Sequence, residues 1–544
     1  MTDPAVDGDL GGLILFGFEG TRPQDVPVEL VARAAGVILF RRNIESAEQL
    51  RALTEAIRAV PRQDRHPAVI TLDQEGGSVS RLAGIGTTIP SAMALGAAGD
   101  DKLTQAMYEL TGDELAALGI NLNLAPVADV NSEPANPVIG TRSFGDDPAL
   151  VSRHVRAAIA GLHAAGIGAT AKHFPGYGGS QVDAHLELPT IPRSHAELRA
   201  ADLVPFAGAI AQGVDCVMTA HAHYPALDSE PKPTTLSAVA LEGLLRGELG
   251  FTGVIVTDCM EMQAIAAGYE PAMSAQAALH AGADLLLFSH TTSAVPAVID
   301  ALGGAVGNDG CSKERIHASL ARVDALGRRL AKAFKESERL ACVGSAAHQQ
   351  AALEATRRAV TIVRDPLGLV PLSLGSDERL LVVVFAGSAA TAVEDSAVLS
   401  APAHGAPAGP ARVRQATAIG QALAAGPARV QEQVRTLDPA GHEYKQILLA
   451  AGTASAIVIV TSRAAHHPLQ ARAVADLQLL GKRVVAVAAR EPYDATVLPA
   501  DMTVLASFGE GAHAMRAVAE VISGTIQARG TVPVHLTLSA APAR

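Results

Sequence analysis

The chain has 544 residues, of which 49% are hydrophobic, and its formal net charge is −12. This length is comfortable for two domains, each with a sizeable core. The acidic balance disfavours nucleic acid or an anionic membrane surface as a partner, because both call for clustered Lys and Arg. We therefore expect a small neutral or polar ligand.

The cysteines, at positions 216, 259, 311 and 342, are far apart and form no C-x-x-C pair. This spacing indicates neither a structural zinc site nor a disulfide framework, and it fits a reducing compartment. The first residues, MTDPAVDGDLGG, lack the basic residues and the long apolar run of a secretory signal. The sequence therefore predicts a cytoplasmic protein with no membrane partner, and it leaves the oligomeric state open.

Short apolar runs recur from the start of the chain, and each is followed by a polar or Gly-rich turn and a stretch with helical spacing. The runs predicted as strands are 13–18, 36–40, 68–73, 121–130, 168–173, 215–221, 253–258 and 283–289. Repeated strand and helix units over about 290 residues match the size of a (β/α)8 TIM-type barrel. The chemistry of such a barrel lies on the loops after the carboxyl ends of its strands.

The pattern changes near residue 340, so we predict a barrel domain over 1–340 and a second domain over 341–544. The second domain has predicted strands at 360–363, 380–385, 456–460, 483–488 and 503–507, with helices such as 469–480 and 512–522 between them. This alternation indicates a three-layer α/β sandwich. The segment 401–429 is rich in Ala, Gly and Pro, and we expect partly irregular surface structure there.

Polar residues cluster at the ends of successive barrel strands, and three of them suggest catalysis. Asp258 ends the seventh run, where an isolated Asp more often caps a helix. Retaining glycoside hydrolysis needs a carboxylate that attacks the anomeric carbon, and a second group that gives and then takes a proton. Asp183 and His185 are two residues apart, so in an extended loop their side chains point the same way. A carboxylate beside an imidazole fixes its tautomer and raises its basicity.

Several longer motifs occur in a characteristic order: GVILFRRN at 36–43, DQEGGSVSR at 73–81, IGTRSFG at 139–145, KHFPG at 172–176, DAH at 183–185 and TDCMEM at 257–262. On these residues the chain resembles the two-domain bacterial β-N-acetylglucosaminidases of glycoside hydrolase family 3, over about residues 11–340. The resemblance implies that Asp258 is the nucleophile, that His185 is the acid/base and that Asp183 is its partner. It also implies a sugar subsite lined by Asp73, Arg81, Arg142, Lys172 and His173.

Those five subsite residues suit a polyol, because a carboxylate accepts hydrogen bonds from hydroxyls while Arg, Lys and His donate them. Alternatively, Arg81 supports Asp73 as an ion pair, or all five form a strand-end salt-bridge network. Gly76 and Gly77 are expected to allow a close approach of the backbone.

The resemblance further implies exo-acting removal of terminal β-linked GlcNAc, for example from peptidoglycan fragments, with no cofactor and no metal. Two alternatives stay open within the family. β-Glucosidases and β-xylosidases typically draw a carboxylate acid/base from the second domain. A phosphorylase is the other alternative, because a neutral imidazole repels phosphate less than a carboxylate does.

The chain departs from the family pattern at Tyr177, where a His is common, and at Cys259, where an acidic or small residue is common. Tyr177 is expected to affect the geometry of the loop that carries Asp183 and His185, or the fine specificity for the substrate, more than the activity. Cys259 is expected to be a small buried hydrophobe. Two other functional classes compete with the glycosidase. His221 and His223, at i and i+2, suggest a zinc-dependent hydrolase, and a non-catalytic sugar-binding protein is the third possibility.

Overall fold

The first part of the chain forms a closed barrel of eight parallel strands. The computed structural model describes residues 10–62, 66–305, 312–331, 337–387 and 416–538. In chain order, the strands here are β1 (Ile14–Phe16), β2 (Gly36–Ile38), β3 (Val69–Leu72), the hairpin β4 (Gln74–Gly76) and β5 (Val79–Ser80), β6 (Leu122–Asn123), β7 (Gly168–Phe174), β8 (Cys216–Thr219), β9 (Val254–Cys259) and β10 (Leu285–Phe288). The ring closes where β1 pairs with β2 and β10, which confirms the predicted barrel.

The barrel strands coincide with the apolar runs because each strand is covered on both faces. Every residue of β3 and β7 is buried, and such parallel strands consist of nearly continuous apolar residues. β6 is shorter than its predicted run of 121–130. Pro126 lies three residues beyond it and has no N–H to donate to a ladder.

Helices between the strands form the outer layer of the barrel. They are α1 (Val28–Arg33), α2 (Ala47–Arg58), α3 (Ala92–Ala98), α4 (Asp101–Ala117), α5 (Pro148–Ala164), α6 (His195–Glu197), α7 (Leu203–Ala211), α8 (Gln263–Ala266), α9 (Pro271–Ala281), α10 (Val295–Ala305) and α11 (Lys313–Leu330). Two further segments, Leu198–Asp202 and Val239–Glu248, are π-helices. At the start of α4, the Asp100 carboxylate accepts two backbone N–H groups that have no partner within the helix.

The C-terminal part is a six-stranded sheet with helices on both faces. Its elements are α12 (Ala346–Ala359), β11 (Thr361–Arg364), β12 (Arg379–Phe385), α13 (Ala418–Ala424), β13 (Arg429–Arg435), α14 (Gly441–Thr453), β14 (Ala456–Thr461), α15 (Pro468–Leu479), β15 (Arg483–Ala488), α16 (Asp494–Val497), β16 (Thr503–Ala506) and α17 (Ala512–Ile522). The strand order is β11-β16-β15-β14-β12-β13, and β11 is antiparallel to its neighbour. α13 and α17 pack on one face and α14 and α15 on the other, which confirms the three-layer sandwich.

Two features of this sheet domain were not expected from the sequence. No strand is predicted at 430–435, yet β13 lies there as an edge strand whose residues are all at least partly exposed. Its polar sequence, RVQEQVR, therefore has no apolar run to reveal it. Of the segment 401–429, residues 401–415 lie outside the described residues, and much of the remainder forms the regular helix α13.

The two domains share a buried contact, which we call the interdomain cluster. It contains Met93 and Ala97 of α3 together with Tyr493 and Phe508 of the second domain. The side-chain amide of Asn131 also donates to the Tyr493 hydroxyl at 2.7 Å. α12 packs against both α3 and α17, so the boundary near residue 340 stays a prediction. Within the described ranges, no helix is both long and apolar enough to cross a lipid bilayer.

Candidate active site

Polar side chains meet at the carboxyl ends of the barrel strands, as the sequence predicts. One cavity is lined by Phe40, Asp73, Arg81, Arg142, Lys172, His173, His185, Asp258 and Met262, among others. An adjoining cavity shares Arg142, His173, His185 and Asp258 and adds Tyr177, Asp183 and His221. The structure therefore brings together every residue that was predicted for the catalytic and sugar-binding site.

Asp258, near the end of β9, is held as an anion. Its Oδ1 accepts a hydrogen bond from the backbone N–H of Cys259 at 2.7 Å. Burial alone would raise the pKa of this carboxyl, but the charges that His221 and His173 can carry, together with the Cys259 N–H, hold it below its ordinary value. A carboxyl with a lowered pKa is ionised at neutral pH, as a nucleophile must be.

His221 is oriented by two hydrogen bonds. Its Nε2 lies 2.9 Å from the carbonyl oxygen of Cys259, and its Nδ1 lies 2.7 Å from the Thr235 hydroxyl. A carbonyl can only accept, so Nε2 carries the proton, and burial lowers the pKa of the ring. His223 likewise uses Nε2, 3.0 Å from the carbonyl oxygen of Asp228. Both Nε2 atoms therefore bond to carbonyl oxygens and are not available to zinc, and among the described residues no group of three or more His, Cys, Asp and Glu is arranged to hold a metal.

His185 is oriented by Asp183. The imidazole Nδ1 lies 2.7 Å from Asp183 Oδ1, and the same oxygen accepts the His185 backbone N–H at 2.9 Å. Burial would raise the pKa of Asp183, but these bonds lower it. With Nδ1 bonded to the carboxylate, Nε2 is the nitrogen that can exchange a proton.

The contact between Asp183 and His185 does not arise in the way the sequence analysis assumes. An extended loop is the wrong expectation, because the chain turns at these residues and the N–H of Leu186 donates to the Asp183 carbonyl at 2.9 Å. The side chains meet because the Asp183 carboxylate folds back over this turn. Short Asp side chains often bond to backbone two residues ahead in this manner.

Tyr177 fixes the loop that carries this pair. Its hydroxyl donates to the Val182 carbonyl at 2.7 Å and accepts the Ala184 N–H at 2.9 Å, so it bonds to the backbone on both sides of Asp183. Burial raises the pKa of the phenol, which keeps it a neutral donor. The departure from the family pattern at this position therefore gives the loop a specific support.

Lys172 lies between two carboxylates in the cavity wall. Its Nζ is 2.7 Å from Asp73 Oδ1 and 2.6 Å from Glu75 Oε1. Glu75 also forms a two-pronged ion pair with Arg142, in which both N···O distances are 2.8 Å. Burial opposes charge on each group, but their mutual attraction lowers the pKa of Glu75 and raises those of Lys172 and Arg142. The cavity therefore presents fixed donors and acceptors.

Asp73 connects this network to the cavity. Arg81 Nη2 lies 3.5 Å from its Oδ2, and the Asp73 side chain is 15% exposed. The ion-pair role proposed for Arg81 is thus present as a contact. The salt-bridge network links four of the five predicted residues, because His173 bonds to Asp129 instead. These contacts do not exclude a sugar subsite, because the Asp73 carboxylate still reaches the space in which a ligand would lie.

Comparison with known proteins identifies the family of this chain. The model of the glycosyl hydrolase family 3 N-terminal domain matches residues 6–326. The chain belongs to glycosyl hydrolase family 3. It is a glycoside hydrolase, and the barrel that carries Asp258 is the part of the chain that the family model covers.

Relatives of this family 3 enzyme match either about half of the chain or nearly all of it. A β-hexosaminidase of Alkalilimnicola ehrlichii is 41% identical over 296 residues, which are 53% of this chain and 83% of the relative. A solved family 3 β-N-acetylglucosaminidase from Paenibacillus sp. has 36% identity and a TM-score of 0.87, and it covers 99% of this chain and 100% of its own. A β-N-acetylhexosaminidase structure from Beutenbergia cavernae has 31% identity and a TM-score of 0.56, and it covers 60% of this chain.

Sequence reasoning missed two carboxylates that position the site of this family 3 enzyme. Glu75 is not among the predicted site residues, although it lies in the DQEGG motif, two residues after Asp73. Asp129, in the PVADV segment after β6, is fully buried and accepts from His173 through both the ring Nδ1 at 2.7 Å and the backbone N–H at 3.1 Å. The available signal in both cases was a carboxylate in the segment that follows a barrel strand.

Cys259, the second departure from the family pattern, is a buried thiol. Its Sγ lies 3.8 Å from Glu261 Oε2, and burial raises its pKa to about 12. A thiol of this kind is not nucleophilic at neutral pH, in keeping with the small hydrophobe expected. Glu261 in turn accepts the N–H groups of His290 and Thr291 at 2.7 and 2.8 Å, which anchors the loop after β10.

Proposed function

We propose that this family 3 enzyme is a retaining, exo-acting β-N-acetylhexosaminidase that removes terminal β-linked GlcNAc through a covalent glycosyl-enzyme. The observation that carries the proposal is the Asp183–His185 contact of 2.7 Å on the wall of the cavity that contains Asp258. Relatives with the names β-hexosaminidase and β-N-acetylglucosaminidase support the choice of sugar.

In the first step, the Asp258 carboxylate attacks the anomeric carbon while protonated His185 gives the Nε2 proton to the departing glycosidic oxygen. The bond from carbon to that oxygen breaks as the ester bond to Asp258 forms. In the second step, neutral His185 takes a proton from water, which attacks the same carbon and releases Asp258. Throughout, the Asp183 carboxylate accepts the hydrogen bond from the Nδ1–H of His185 and stabilises the imidazolium.

The origin of the cavity wall favours this proposal over the glucosidase alternative. A carboxylate acid/base drawn from the second domain would have to reach Asp258. The described residues that line the two cavities around Asp258 all fall between 38 and 290, within the barrel. Proton transfer is therefore assigned to His185, the titratable group of the loop that faces the nucleophile.

The test is a comparison of nitrophenyl β-GlcNAc, β-glucoside and β-xyloside as substrates. We expect strong preference for β-GlcNAc, no loss of rate with a chelator, and free GlcNAc as the product even with added inorganic phosphate. Equal or faster turnover of the glucoside contradicts the choice of sugar. Formation of GlcNAc 1-phosphate as the main product would indicate a phosphorylase.

Asp258→Asn tests the nucleophile separately. We expect it to abolish formation of a glycosyl-enzyme from a fluorinated slow substrate, and mass spectrometry of the wild-type digest should place the label on Asp258. Asp501→Asn is a suitable control, because that carboxylate lies in the second domain and bonds to the Gln478 side chain. Labelling of Asp73 or Asp129 overturns the assignment.

A further inference from the structure

The turn that carries Asp183 and His185 has a second face, outside the cavity around Asp258. A shallow depression there is lined by Asp183, Leu186 and Glu187 of the turn and by Arg463 of the second domain, among others. Asp183 lines this depression and also the cavity next to Asp258. The depression therefore adjoins the cavity around Asp258 at the Asp183 side chain.

Arg463 is held at this position by its backbone and by a neighbour. It follows β14 with φ of +53°, a left-handed conformation that costs energy for a residue with a long side chain. Its Nε lies 3.9 Å from Glu491 Oε1, and its side chain is only 11% exposed. A Cβ on Gly140 would lie 2.8 Å from that Glu491 oxygen, so this part of the second domain lies directly against the barrel.

The chemistry of the depression is mixed. Arg463 supplies hydrogen-bond donors, and Asp183 and Glu187 supply acceptors. Leu186 is 75% exposed, so its side chain gives an apolar surface on which the C–H face of a sugar ring can pack. Donors, acceptors and an apolar surface together match a pyranose ring.

We infer that Arg463 and Leu186 form an aglycone subsite, which binds the sugar on the reducing side of the scissile bond. The inference rests on the proposed function, because the aglycone departs on the proton donor's side of the anomeric carbon, opposite the nucleophile. The second domain thus contributes a specificity residue to a reaction that the barrel carries out.

The charges favour a neutral aglycone sugar over one that carries a carboxylate. Asp183 and Glu187 line the depression together with Arg463, whose guanidinium also lies 3.9 Å from Glu491. A substrate carboxylate placed there would gain one attraction and meet the repulsion of the two lining carboxylates. Neutral β-linked GlcNAc disaccharides are therefore the preferred substrate class, rather than disaccharides with a 3-O-lactyl carboxylate on the reducing sugar.

The first experiment uses Arg463→Asn, because Asn tolerates the left-handed conformation and the variant should fold. We expect kcat/KM for N,N′-diacetylchitobiose to fall about tenfold more than kcat/KM for nitrophenyl β-GlcNAc, since a hydrogen bond from a charged donor is lost. Arg472→Ala, on the exposed part of α15, is the control and should change neither value. Equal losses on both substrates overturn the subsite.

The second experiment varies the substrate charge. Wild-type enzyme should cleave N,N′-diacetylchitobiose more efficiently than the same disaccharide with a lactyl carboxylate, and Glu187→Gln should narrow that difference. A wild-type preference for the carboxylated disaccharide, or no change with Glu187→Gln, overturns the inferred neutrality. Failure of the proposed function has a different signature, which is absence of nitrophenol release from nitrophenyl β-GlcNAc by the wild-type enzyme.

Discussion

Among single residues, the proposed reaction depends most on one nitrogen, Nε2 of His185, because Nδ1 is bonded to Asp183. A nitrophenolate departs with little proton assistance, whereas a sugar alkoxide needs protonation in the transition state. We expect His185→Ala to slow single-turnover cleavage of N,N′-diacetylchitobiose about 10²- to 10⁴-fold more than cleavage of nitrophenyl β-GlcNAc. Asp183→Ala should give a weaker form of the same pattern.

His467→Ala is a matched control for this measurement. His467 also has its Nδ1 2.7 Å from a carboxylate, that of Asp438, but this pair lies at the start of α15 in the second domain. It should leave both rates unchanged. If His185→Ala slows both substrates equally, His185 binds the substrate and the proton donor must be another group.

Asp202 provides a test of pH dependence at a buried position next to the site loop. It is 1% exposed, its Oδ2 lies 3.5 Å from Arg193 Nε, and burial raises its pKa from 3.8 to about 7. Because the folded pKa exceeds the unfolded one, the folded state loses stability as pH rises through this window. We expect Asp202→Asn to raise the free energy of unfolding at about pH 8, by up to about 4 kcal/mol, and to have little effect near about pH 4.

Urea unfolding across this pH range measures the Asp202 effect. Asp501→Asn, at a partly exposed carboxylate of the second domain, serves as the reference variant. An Asp202→Asn effect that is the same at both ends of the range would contradict the raised pKa.

At the scale of elements, the loop from Tyr177 to Glu187 decides where the proton donor lies. Tyr177→Phe removes the hydroxyl that bonds to Val182 and Ala184 and leaves both backbone groups without that partner. The loss of these hydrogen bonds costs about 1–3 kcal/mol, and we expect this cost to appear in the positioning of the proton donor. The kcat on N,N′-diacetylchitobiose should therefore fall about ten- to a hundredfold, and the kcat on nitrophenyl β-GlcNAc should fall less.

Tyr444→Phe is the control for this loop variant. The Tyr444 hydroxyl also makes a hydrogen bond, at 2.6 Å to Asp476, but it joins α14 to α15 far along the chain from the loop. The two tyrosine variants should therefore differ in kcat. An unchanged kcat for Tyr177→Phe would mean that the turn holds itself in place.

The elements that the sequence predicts well are those whose burial leaves a clear pattern. β3 and β14 are buried at every position and consist of apolar runs. β13 lies at a sheet edge, and none of its residues is fully buried. Its sequence is therefore as polar as that of a surface loop. The hairpin of β4 and β5 is too short to produce any periodic signal.

The candidate site was predictable in its members but not in its connections. Motif order and strand-end position suffice to select Asp73, Lys172 and Asp258. The ion pair between Glu75 and Arg142 joins residues 67 positions apart, and no local pattern specifies it. The turn at Asp183 was missed for a similar reason, because the bonds from Tyr177 that hold it are tertiary contacts.

At the scale of the whole molecule, the interdomain cluster couples the two folds. Met93 and Phe508 are fully buried in it. The Ser91 hydroxyl donates to the Phe508 carbonyl at 2.6 Å, and Arg358 pairs with Asp100 at 2.7 Å. Since Arg463 reaches the proposed aglycone subsite only while the domains are docked, this contact also bears on specificity.

Because the domains bury Met93 between them, we expect the wild-type protein to unfold in a single calorimetric transition. Met93→Ala opens a cavity at the contact between the domains. We expect it to weaken the docking of the two domains by about 2–5 kcal/mol and to leave the core of each domain unchanged. The expected result is two resolved transitions and a lower kcat/KM for N,N′-diacetylchitobiose. Met107→Ala removes an equally large side chain from the barrel core alone, so it should lower one transition without splitting it. A single transition for Met93→Ala would mean that other contacts suffice to couple the domains.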